Sequence, residues 1–432
     1  MSFISTFQQF INDTARQVQF FMICRQLGII FSSIVIAWYL PVENVGVIEM
    51  LMFVGYLMTF FWSDALLRGF LANTPLQSDR KTSTTFLLLY FIGGLIVMAV
   101  LLIAQPVLIP LFTSRPNLQG LELFAAYQVL ILPLWVAPFI GIMKGQNILL
   151  ASLFVLIGPA FACWSGFTSL PEMSGILLGL FCYALVGFIW VLTQTTLLKN
   201  IQLKSLLIRI WPATWPLALY AISNGLARSF DAWLVARYFD ESIFAIFRYG
   251  AREFPLVVAL SLGLSAIMIP KLHNNQSVEE LKQRSTRVMH SSYPIIILLM
   301  LLSTFLFELV YGSVYRESAT IFNIYLLLTL TQLVFPQSII TARGDTKTLW
   351  YISLAELVIN VVASLILLQY LGLQGIAWGT LIAFTFEKIA LFYFIGKRYS
   401  LKPSMVFNTR VLAIYGTMML GAFILAKWIF GI

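Results

Sequence analysis

The chain alternates between long apolar runs and short polar connections. A run of about twenty apolar residues can cross the hydrocarbon core of a bilayer as a helix, because a helix rises about 1.5 Å per residue. The pattern predicts thirteen such spans, the last interrupted near its end by Lys427: residues 17–40, 44–71, 84–109, 121–143, 147–168, 174–198, 211–237, 243–269, 291–311, 318–342, 348–369, 375–396 and 411–431. The expected fold class is an all-α polytopic membrane protein with about 12 or 13 transmembrane helices.

Residues 221–270 read as a hairpin of two spans, and this hairpin carries several charges within apolar sequence. A central Arg or Asp costs roughly 2.5 to 3.5 kcal/mol on insertion scales, so such residues normally face a protein interior or a water-filled cavity. The charged residues are Arg228, Asp231, Arg237, Arg248, Arg252 and Glu253. Arg237 lies at the membrane edge and is interpreted as an interfacial anchor, whereas the others indicate a functional site.

Composition supports the membrane assignment. Hydrophobic residues make up 60% of the 432 residues and charged residues only 10%, and the mean hydropathy is +0.89. The net charge of +9 does not indicate a nucleic-acid partner, because the basic residues are scattered through short loops. With a cytoplasmic N-terminus, seventeen of the 27 basic residues fall inside, two (Arg115 and Arg316) fall outside and eight lie within spans. This bias predicts a multi-pass protein with its N-terminus in the cytoplasm.

An internal repeat appears at a period near 200 residues. The matched landmarks are Tyr39 with Tyr238, Tyr127 with Tyr325, Pro138 with Pro336, Gly145 with Gly344, Gly175 with Gly375, and Gly179 with Gly379. A period of six spans keeps the membrane orientation, so we expect parallel repeats that form two six-helix lobes around a central cavity. The predicted domains are an N-terminal lobe (1–200), a C-terminal lobe (201–400) and an extra helix in residues 401–432.

Buried charges of both halves are assigned to this cavity. Arg25 lies in the first span, and Asp64 and Arg68 are four residues apart in the second; this last pair can also be a buried pair that fixes helix packing. The predicted substrate-cavity residues are Arg25, Asp64, Arg68, Arg228, Asp231, Arg248, Arg252 and Glu253. Five basic against three acidic residues make the cavity modestly basic. Since guanidinium groups bind phosphate oxygens with two hydrogen bonds, an anionic cargo is expected.

Other polar residues give no catalytic or metal-binding pattern. Cys24, Cys163 and Cys182 are far apart and are interpreted as small buried hydrophobic residues. Glu387 and Lys388 are adjacent in the twelfth span and therefore should not share a helix face. No cofactor, catalytic residue or metal ligand is predicted, and the chain is not expected to be an enzyme. Coupling to protons, sodium or the membrane potential stays open.

Three features together resemble the multidrug/oligosaccharidyl-lipid/polysaccharide (MOP) exporter superfamily. They are the duplicated halves, the hairpin GLARSFDAWLVARYFDESIFAIFRYGAREFPLVV, and the segments ARGDTKTLWYISLAELVIN and LGLQGIAWGTLIAF. The resemblance covers residues 10–400 and is greatest to the bacterial polysaccharide and O-antigen flippases (Wzx-like), with the lipid II flippase as a relative. Twelve or fourteen spans are usual in that superfamily, so the thirteen predicted here are a departure.

The resemblance implies a two-lobed transporter of the bacterial inner membrane. Such a protein passes an undecaprenyl-diphosphate-linked oligosaccharide from the cytoplasmic to the periplasmic leaflet by alternating access, with the opening helices of both lobes lining the cavity. The implied partners are the lipid bilayer, the anionic lipid-linked glycan and, as an open question, neighbouring glycan-assembly proteins. Outward movement of two negative charges across 100 mV would contribute about 4 to 5 kcal/mol.

The alternative functions are those of a lipid II flippase, a drug/cation antiporter and, less favoured, a polytopic polysaccharide polymerase or ligase. A drug/cation antiporter of the same superfamily would favour an acidic cavity, whereas the first span offers Arg25 and no carboxylate. A polytopic polysaccharide polymerase or ligase would place catalytic residues in large periplasmic loops, but every predicted outside loop has about a dozen residues or fewer. A lipid-linked-oligosaccharide flippase therefore accounts best for the sequence.

Overall fold

The computed structural model describes residues 14–73, 80–112, 118–143, 148–193, 203–272 and 276–430, and these residues form helices and short connections with no β-strand. The helices are α1 (Thr14–Tyr39), α2 (Val42–Asn73), α3 (Arg80–Ile103), α4 (Gln105–Phe112), α5 (Leu121–Met143), α6 (Leu149–Ser169), α7 (Met173–Thr193), α8 (Leu203–Tyr238), α9 (Glu241–Gly250), α10 (Pro255–Met268), α11 (Gln276–Tyr311), α12 (Ser318–Leu327), α13 (Thr329–Gln332), α14 (Pro336–Ala342), α15 (Thr346–Leu371), α16 (Leu373–Tyr399), α17 (Pro403–Val406) and α18 (Thr409–Phe430). Short 3₁₀ segments occupy Ile269–Lys271 and Ser313–Glu317.

Within the described ranges, ten helices are long and apolar enough to cross a membrane. In a bilayer every backbone polar group must be satisfied within the chain, and a helix achieves this along its own length. The prediction of an all-α, multi-pass membrane protein is therefore confirmed. The thirteenth predicted span, at 411–431, corresponds to α18, which is one of the ten.

Three of the predicted spans are wrong as single helices. Span 84–109 divides at Ala104 into α3 and α4, and span 243–269 divides into α9 and α10. Span 318–342 divides into α12, α13 and α14, with a bend of 43° before Pro336. Proline explains the last two breaks: Pro255 and Pro336 each begin a helix, because proline lacks an N–H and its ring excludes the preceding helical turn.

Proline does not break every helix of this protein. Pro138, the repeat counterpart of Pro336, lies inside the continuous helix α5, as does Pro133. The seventh predicted span lies in the continuous helix α8, although α8 is not among the ten apolar helices. With ten such helices and one bent pair, the described residues hold up to eleven spans instead of thirteen.

The chain divides into two compact units. The first comprises residues 1–225 and 236–242, and the second comprises residues 226–235 and 243–432. The boundary falls within α8, so one continuous helix contributes to both units.

In the first unit, α6 packs along both α1 and α7, and α5 packs against α3 and α7. The approach of α6 to α7 is close because glycines line it. A methyl group added to Gly175 would meet the carbonyl of Leu170, and one added to Gly179 would meet the carbonyl of Ala162 and the backbone of Gly166. Small residues allow this backbone contact in membrane helices.

The second unit repeats this arrangement in α15 and α16, its most extensively paired helices. Gly375 lies against the backbone of Leu367, and Gly379 lies against Ser364. The glycines matched by the sequence repeat therefore make the same kind of helix contact in both units. This correspondence aligns Gly166 with Ser364.

Helix α18 is held on the second unit by apolar and polar contacts. It packs along α11 and buries Met419, Ala422 and Ala426. At its C-terminus, Arg316 Nη2 donates to the carbonyl oxygen of Phe430 at 2.7 Å, and Arg316 also pairs with Glu308 at 3.5 Å. A cation at the carbonyl end of a helix is favourable because these carbonyls have no helical partner.

Candidate functional site

The centre of the candidate site is Asp231, seven residues before the end of α8. Its side chain is only 4% exposed. Tyr325 Oη, on α12, donates a hydrogen bond to Asp231 Oδ2 at 2.8 Å, and Thr380 Oγ1, on α16, donates to the same oxygen. Three helices of the second unit thus converge on one carboxylate oxygen.

A second row of polar side chains fixes the first. Asn360 Nδ2 donates to Thr380 Oγ1 at 3.3 Å, and Ser364 Oγ donates to Asn360 Oδ1 at 3.2 Å. Each donor in this series of hydrogen bonds points towards the Asp231 carboxylate, so each hydrogen bond polarises the next. Both donors of the first row reach the same oxygen, so Oδ2 is the accepting oxygen of the carboxyl group.

The other carboxylate oxygen, Asp231 Oδ1, is buried and accepts no well-formed hydrogen bond from the described residues, although the Asn360 amide interacts with the carboxylate. It belongs to a residue that lines a cavity of about 80 Å³ in the second unit. A volume of this size holds several water molecules or a small ion, since one water needs roughly 10 to 15 Å³ measured in this way. Other lining side chains include Phe247, Arg248, Glu253, Tyr325, Thr380 and Phe384.

The helix break before Pro255 shapes this cavity. Ala251 and Glu253 lie between α9 and α10, outside regular helix, and both line the cavity. Phe254 adopts an extended conformation (φ −68°, ψ 112°) that ends the helical hydrogen-bond pattern. Non-helical backbone at membrane depth is tolerated where it is buried in protein or lines a cavity.

The cavity of the second unit is lined by charged residues of both signs. Asp231 and Glu253 contribute two carboxylates, and Arg248 contributes one guanidinium, so the formal sum is −1. A cavity with this balance favours a cation over an anion. The sum made from the sequence covered eight residues of both halves; this cavity contains three of them and does not include Arg25 or Arg252.

Those arginines have other neighbours. The Arg252 guanidinium lies over the ring of Tyr249, 4.5 Å from its centroid, and Arg252 is not among the lining residues. In the first unit the Arg25 guanidinium lies 5.8 Å from the ring centroid of Trp135 and within electrostatic range of Asp64. Such contacts favour the charged guanidinium at an apolar site.

The side chains of two predicted site residues, Arg68 and Arg228, lie outside the part of the chain whose side chains are described. Of the eight predicted cavity residues, three therefore line the cavity of the second unit: Asp231, Arg248 and Glu253. Arg237, interpreted as an interfacial anchor, is exposed near the end of α8.

Sequence reasoning missed Tyr325, Thr380, Asn360 and Ser364 as site residues. A signal was present for Tyr325, which is a landmark of the internal repeat, and for Asn360, an amide in the middle of an apolar span. Polar side chains that hydrogen-bond between membrane helices are often of these types.

The internal repeat shows that helix packing alone does not require this polar network. By the matched landmarks, Asp231 corresponds to Ser32, Asn360 to Ala162 and Thr380 to Leu180. The first unit thus packs the equivalent helices with small or apolar residues. Only the shared tyrosine, Tyr127 or Tyr325, is retained in both copies. The network is therefore a specialised feature of the second unit.

No group of three or more His, Cys, Asp or Glu side chains occurs within the described ranges in a position to hold a metal ion. Among its lining residues, the cavity has the carboxyl groups of Asp231 and Glu253 and the hydroxyl groups of Tyr325 and Thr380. Hard cations of low charge prefer such oxygen ligands.

No protein-family model and no curated protein matches the chain. Several solved structures, however, are similar to the chain. The lipid II flippase MurJ in an inward closed conformation is similar with a TM-score of 0.70 at 15% identity, covering 94% of this chain and 90% of that one. An inward-facing multidrug resistance MATE family transporter of the MOP superfamily is similar with a TM-score of 0.61 at 16% identity, covering 87% and 94%.

A third structure is a MOP superfamily transporter from Pyrococcus furiosus, with a TM-score of 0.58 at 14% identity, covering 91% of this chain and 97% of that one. These likenesses extend over nearly the whole of each chain. The chain therefore has the all-helical fold that is shared by the lipid II flippase MurJ and the MATE transporters of the MOP superfamily.

Proposed function

We propose that this protein is a transporter that moves an anionic, lipid-linked oligosaccharide across the bilayer by alternating access. The observation that carries the proposal is the likeness to the lipid II flippase MurJ over 94% of the chain, in a protein that also buries charges at membrane depth. Ionisable residues in membrane spans mark transport pathways by default, because their burial is unfavourable without a function. The proposal assigns no chemical reaction to the chain.

The proposed cargo is an oligosaccharide on undecaprenyl diphosphate, carried from the cytoplasmic to the periplasmic leaflet of the bacterial inner membrane for surface polysaccharide or O-antigen assembly. Arg25 supports an anionic cargo, because its guanidinium is stacked near Trp135 and can offer paired hydrogen bonds to phosphate oxygens. The positive-inside bias supports a cytoplasmic N-terminus.

The proposed coupling ion is Na⁺, bound at Asp231. The support is local: Asp231 is buried and lines a cavity that holds two carboxyl groups and one guanidinium, a formal charge of −1. A bound cation would neutralise that charge. The carboxylate could also take up a proton, and a pH response in the absence of Na⁺ would assign coupling to the proton instead.

A drug/cation antiporter is the second candidate. The specific observation in its favour is the same acidic cavity, together with the likeness to a multidrug resistance MATE family transporter. The two candidates differ in what the cavity of the second unit binds: the coupling ion alone in a flippase, and the exported cation as well in an antiporter.

Accumulation of lipid-linked oligosaccharide in a deletion strain tests the cargo. Leaflet-specific glycan labelling would report on which side the intermediate stalls. We expect cytoplasmic stalling that is rescued by the wild-type gene and not by Arg25→Ala. Unchanged glycan with altered sensitivity to cationic dyes would contradict the flippase and support the antiporter.

A further inference from the structure

A second polar cluster lies further along α16. Lys388 Nζ forms an ion pair with Glu387, and the same ammonium donates to Gln337 Oε1, on α14, at 3.4 Å. The side chains of Lys388 and Glu387 are only 10% and 14% exposed. Adjacent residues do not share a helix face, but both side chains are long enough to meet beside the helix.

This pair and the Asp231 site lie along one face of α16. Thr380 and Glu387 are seven residues apart, which is nearly two helical turns, so they share a face with a separation of about 10 Å along the axis. Phe384 lies between them, one turn beyond Thr380, and its ring lines the Asp231 cavity. Along this face of α16, the half-buried Phe384 therefore lies between Thr380 and the ion pair.

The first unit again has apolar residues at the equivalent positions. Glu387 corresponds to Gly187, which lies against Leu134, and Lys388 corresponds to Phe188, which stacks on Phe91 with ring centroids 5.1 Å apart. The fold thus forms without a charged pair at this level. Burial of two charges is unfavourable unless they are paired, and such a pair often adds little stability.

We propose that Glu387 and Lys388 form a relay for the cation that binds at Asp231, with Phe384 as the gate between the two sites. The relay leads towards the Tyr399 end of α16, where Lys397 and Arg398 follow. This inference rests on the proposed cation site at Asp231, but it does not depend on the identity of the transported cargo.

The chemistry of the pair gives the relay its closed and open states. With Lys388 bound, Glu387 is neutralised and offers no site to a cation. A cation that leaves Asp231 and passes Phe384 replaces the ammonium at the Glu387 carboxylate, and the ammonium returns when the cation departs. Glu387 and Lys388 together carry no net charge, and the cluster carries one positive charge while the cation is present. No covalent bond changes.

The test measures Na⁺ exchange on the full-length protein in lipid nanodiscs. Tryptophan fluorescence reports binding, since Trp233 and Trp378 lie two residues from Asp231 and Thr380. Equilibrium titration with NaCl against choline chloride gives the affinity, and rapid dilution into choline chloride gives the dissociation rate. Asp231→Asn should abolish the signal and thereby assign it to the site.

Phe384→Ala should accelerate dissociation at least fivefold with an affinity within about twofold of wild type, because a gate changes rates and not equilibria. Glu387→Gln should slow dissociation about tenfold, because the unbalanced charge of Lys388 about 10 Å away opposes passage of a cation. Lys388→Met should add a slow second phase to Na⁺ dissociation, because the Glu387 carboxylate, no longer paired with Lys388, retains the ion. The matched controls are Glu279→Gln and Lys282→Met, which disrupt an ion pair that is more exposed on α11 and should change neither quantity.

Unchanged rates in both Phe384→Ala and Glu387→Gln would overturn the relay. If the charge variants lose Na⁺ affinity, dissociation rate and thermal stability together, the relay would also be overturned, since that result assigns the pair to helix packing. Phe384→Ala removes no charge, so it keeps the test valid if Glu387→Gln and Lys388→Met fold poorly. Absence of any Na⁺ response in the wild type would overturn both the relay and the cation site. Normal glycan export in a deletion strain would contradict only the proposed cargo.

Discussion

Tyr325 donates its hydroxyl proton to Asp231 Oδ2 across 2.8 Å, from α12 to α8. Because Thr380 donates to the same oxygen, both hydrogen bonds hold one side of the carboxylate. The opposite oxygen, Oδ1, accepts no well-formed hydrogen bond from the described residues, and Asp231 lines the cavity. This asymmetry of a single buried carboxylate is the basis of the predictions for the second unit.

Asp231→Asn should abolish the Na⁺ response and glycan export while the protein stays folded. Asparagine keeps the shape and one acceptor oxygen but removes the charge that binds the cation. Thermal stability should be unchanged or slightly higher, because an unneutralised buried charge is unfavourable. Export by cells and the melting temperature in detergent check this prediction; export at the wild-type level would contradict it.

Tyr325→Phe should weaken Na⁺ binding about tenfold or more, because a hydrogen bond to a charged group contributes about 1.5 to 3 kcal/mol. Without the phenol the Asp231 carboxylate loses one of the two hydrogen bonds that orient it. Equilibrium titration measures the change.

The internal repeat supplies a control for this variant. Tyr127 occupies the matched position in the first unit, where Ser32 stands at the position of Asp231. Tyr127→Phe should leave Na⁺ binding unchanged. Equal losses of affinity in both variants would indicate a general effect of the tyrosine on folding.

Thr380→Val should lower thermal stability and activity together, because it removes the donor to Asp231 and leaves Asn360 Nδ2 without its acceptor. An unsatisfied buried polar group costs about 1 to 3 kcal/mol. Thr380→Ser keeps the hydroxyl and should retain most of the activity. Thr385→Val is the control, since that hydroxyl donates only to the carbonyl of Leu381 in its own helix.

Arg25→Ala should abolish glycan export, and Arg25→Lys should give an intermediate level. Lysine keeps the charge but loses the planar fork and the stacking surface near Trp135. The exposed Arg237 provides the control, and Arg237→Ala should be mild. Membrane abundance of each variant must be measured beside export; a full effect of Arg237→Ala would argue against a specific role for Arg25.

Gly379→Val should destabilise the second unit, because its side chain would collide with Ser364 where α15 meets α16. Overpacking of this kind typically costs about 1 to 3 kcal/mol. A second glycine offers the comparison: nothing lies within 4 Å of a methyl group added to Gly421 on α18. Gly421→Ala should be neutral or stabilising, and a melting curve for each variant distinguishes the two sites.

The sequence alone was sufficient to locate Asp231. A carboxylate within an apolar run is conspicuous, because charge at membrane depth is unfavourable without a partner or a cavity. Its partners were not predictable in the same way. Thr59 and Thr385 show that a threonine in an apolar helix commonly donates to a carbonyl of its own helix, at 2.8 Å to Gly55 and 2.7 Å to Leu381. Only the packing of α16 against its neighbours distinguishes Thr380 from them.

The effect of proline on helix continuity was also not predictable from the sequence alone. Pro138 and Pro336 occupy matched positions in the repeat and carry the same local signal, yet α5 continues through the first and a helix break precedes the second. A proline removes one hydrogen bond wherever it occurs, and the surrounding helices decide whether the chain bends there. The sequence therefore predicted where helices can break but not which of them do.

The sequence by itself determined the class of protein and the position of most helices, because both depend on local apolar content and length. Tertiary structure decided which charges meet. It brought Asp231, Arg248 and Glu253 to one cavity, placed Arg252 on Tyr249, and paired Glu387 with Lys388. These outcomes depend on helix rotation, on breaks in the helices and on side-chain reach, which residue spacing along one chain does not specify.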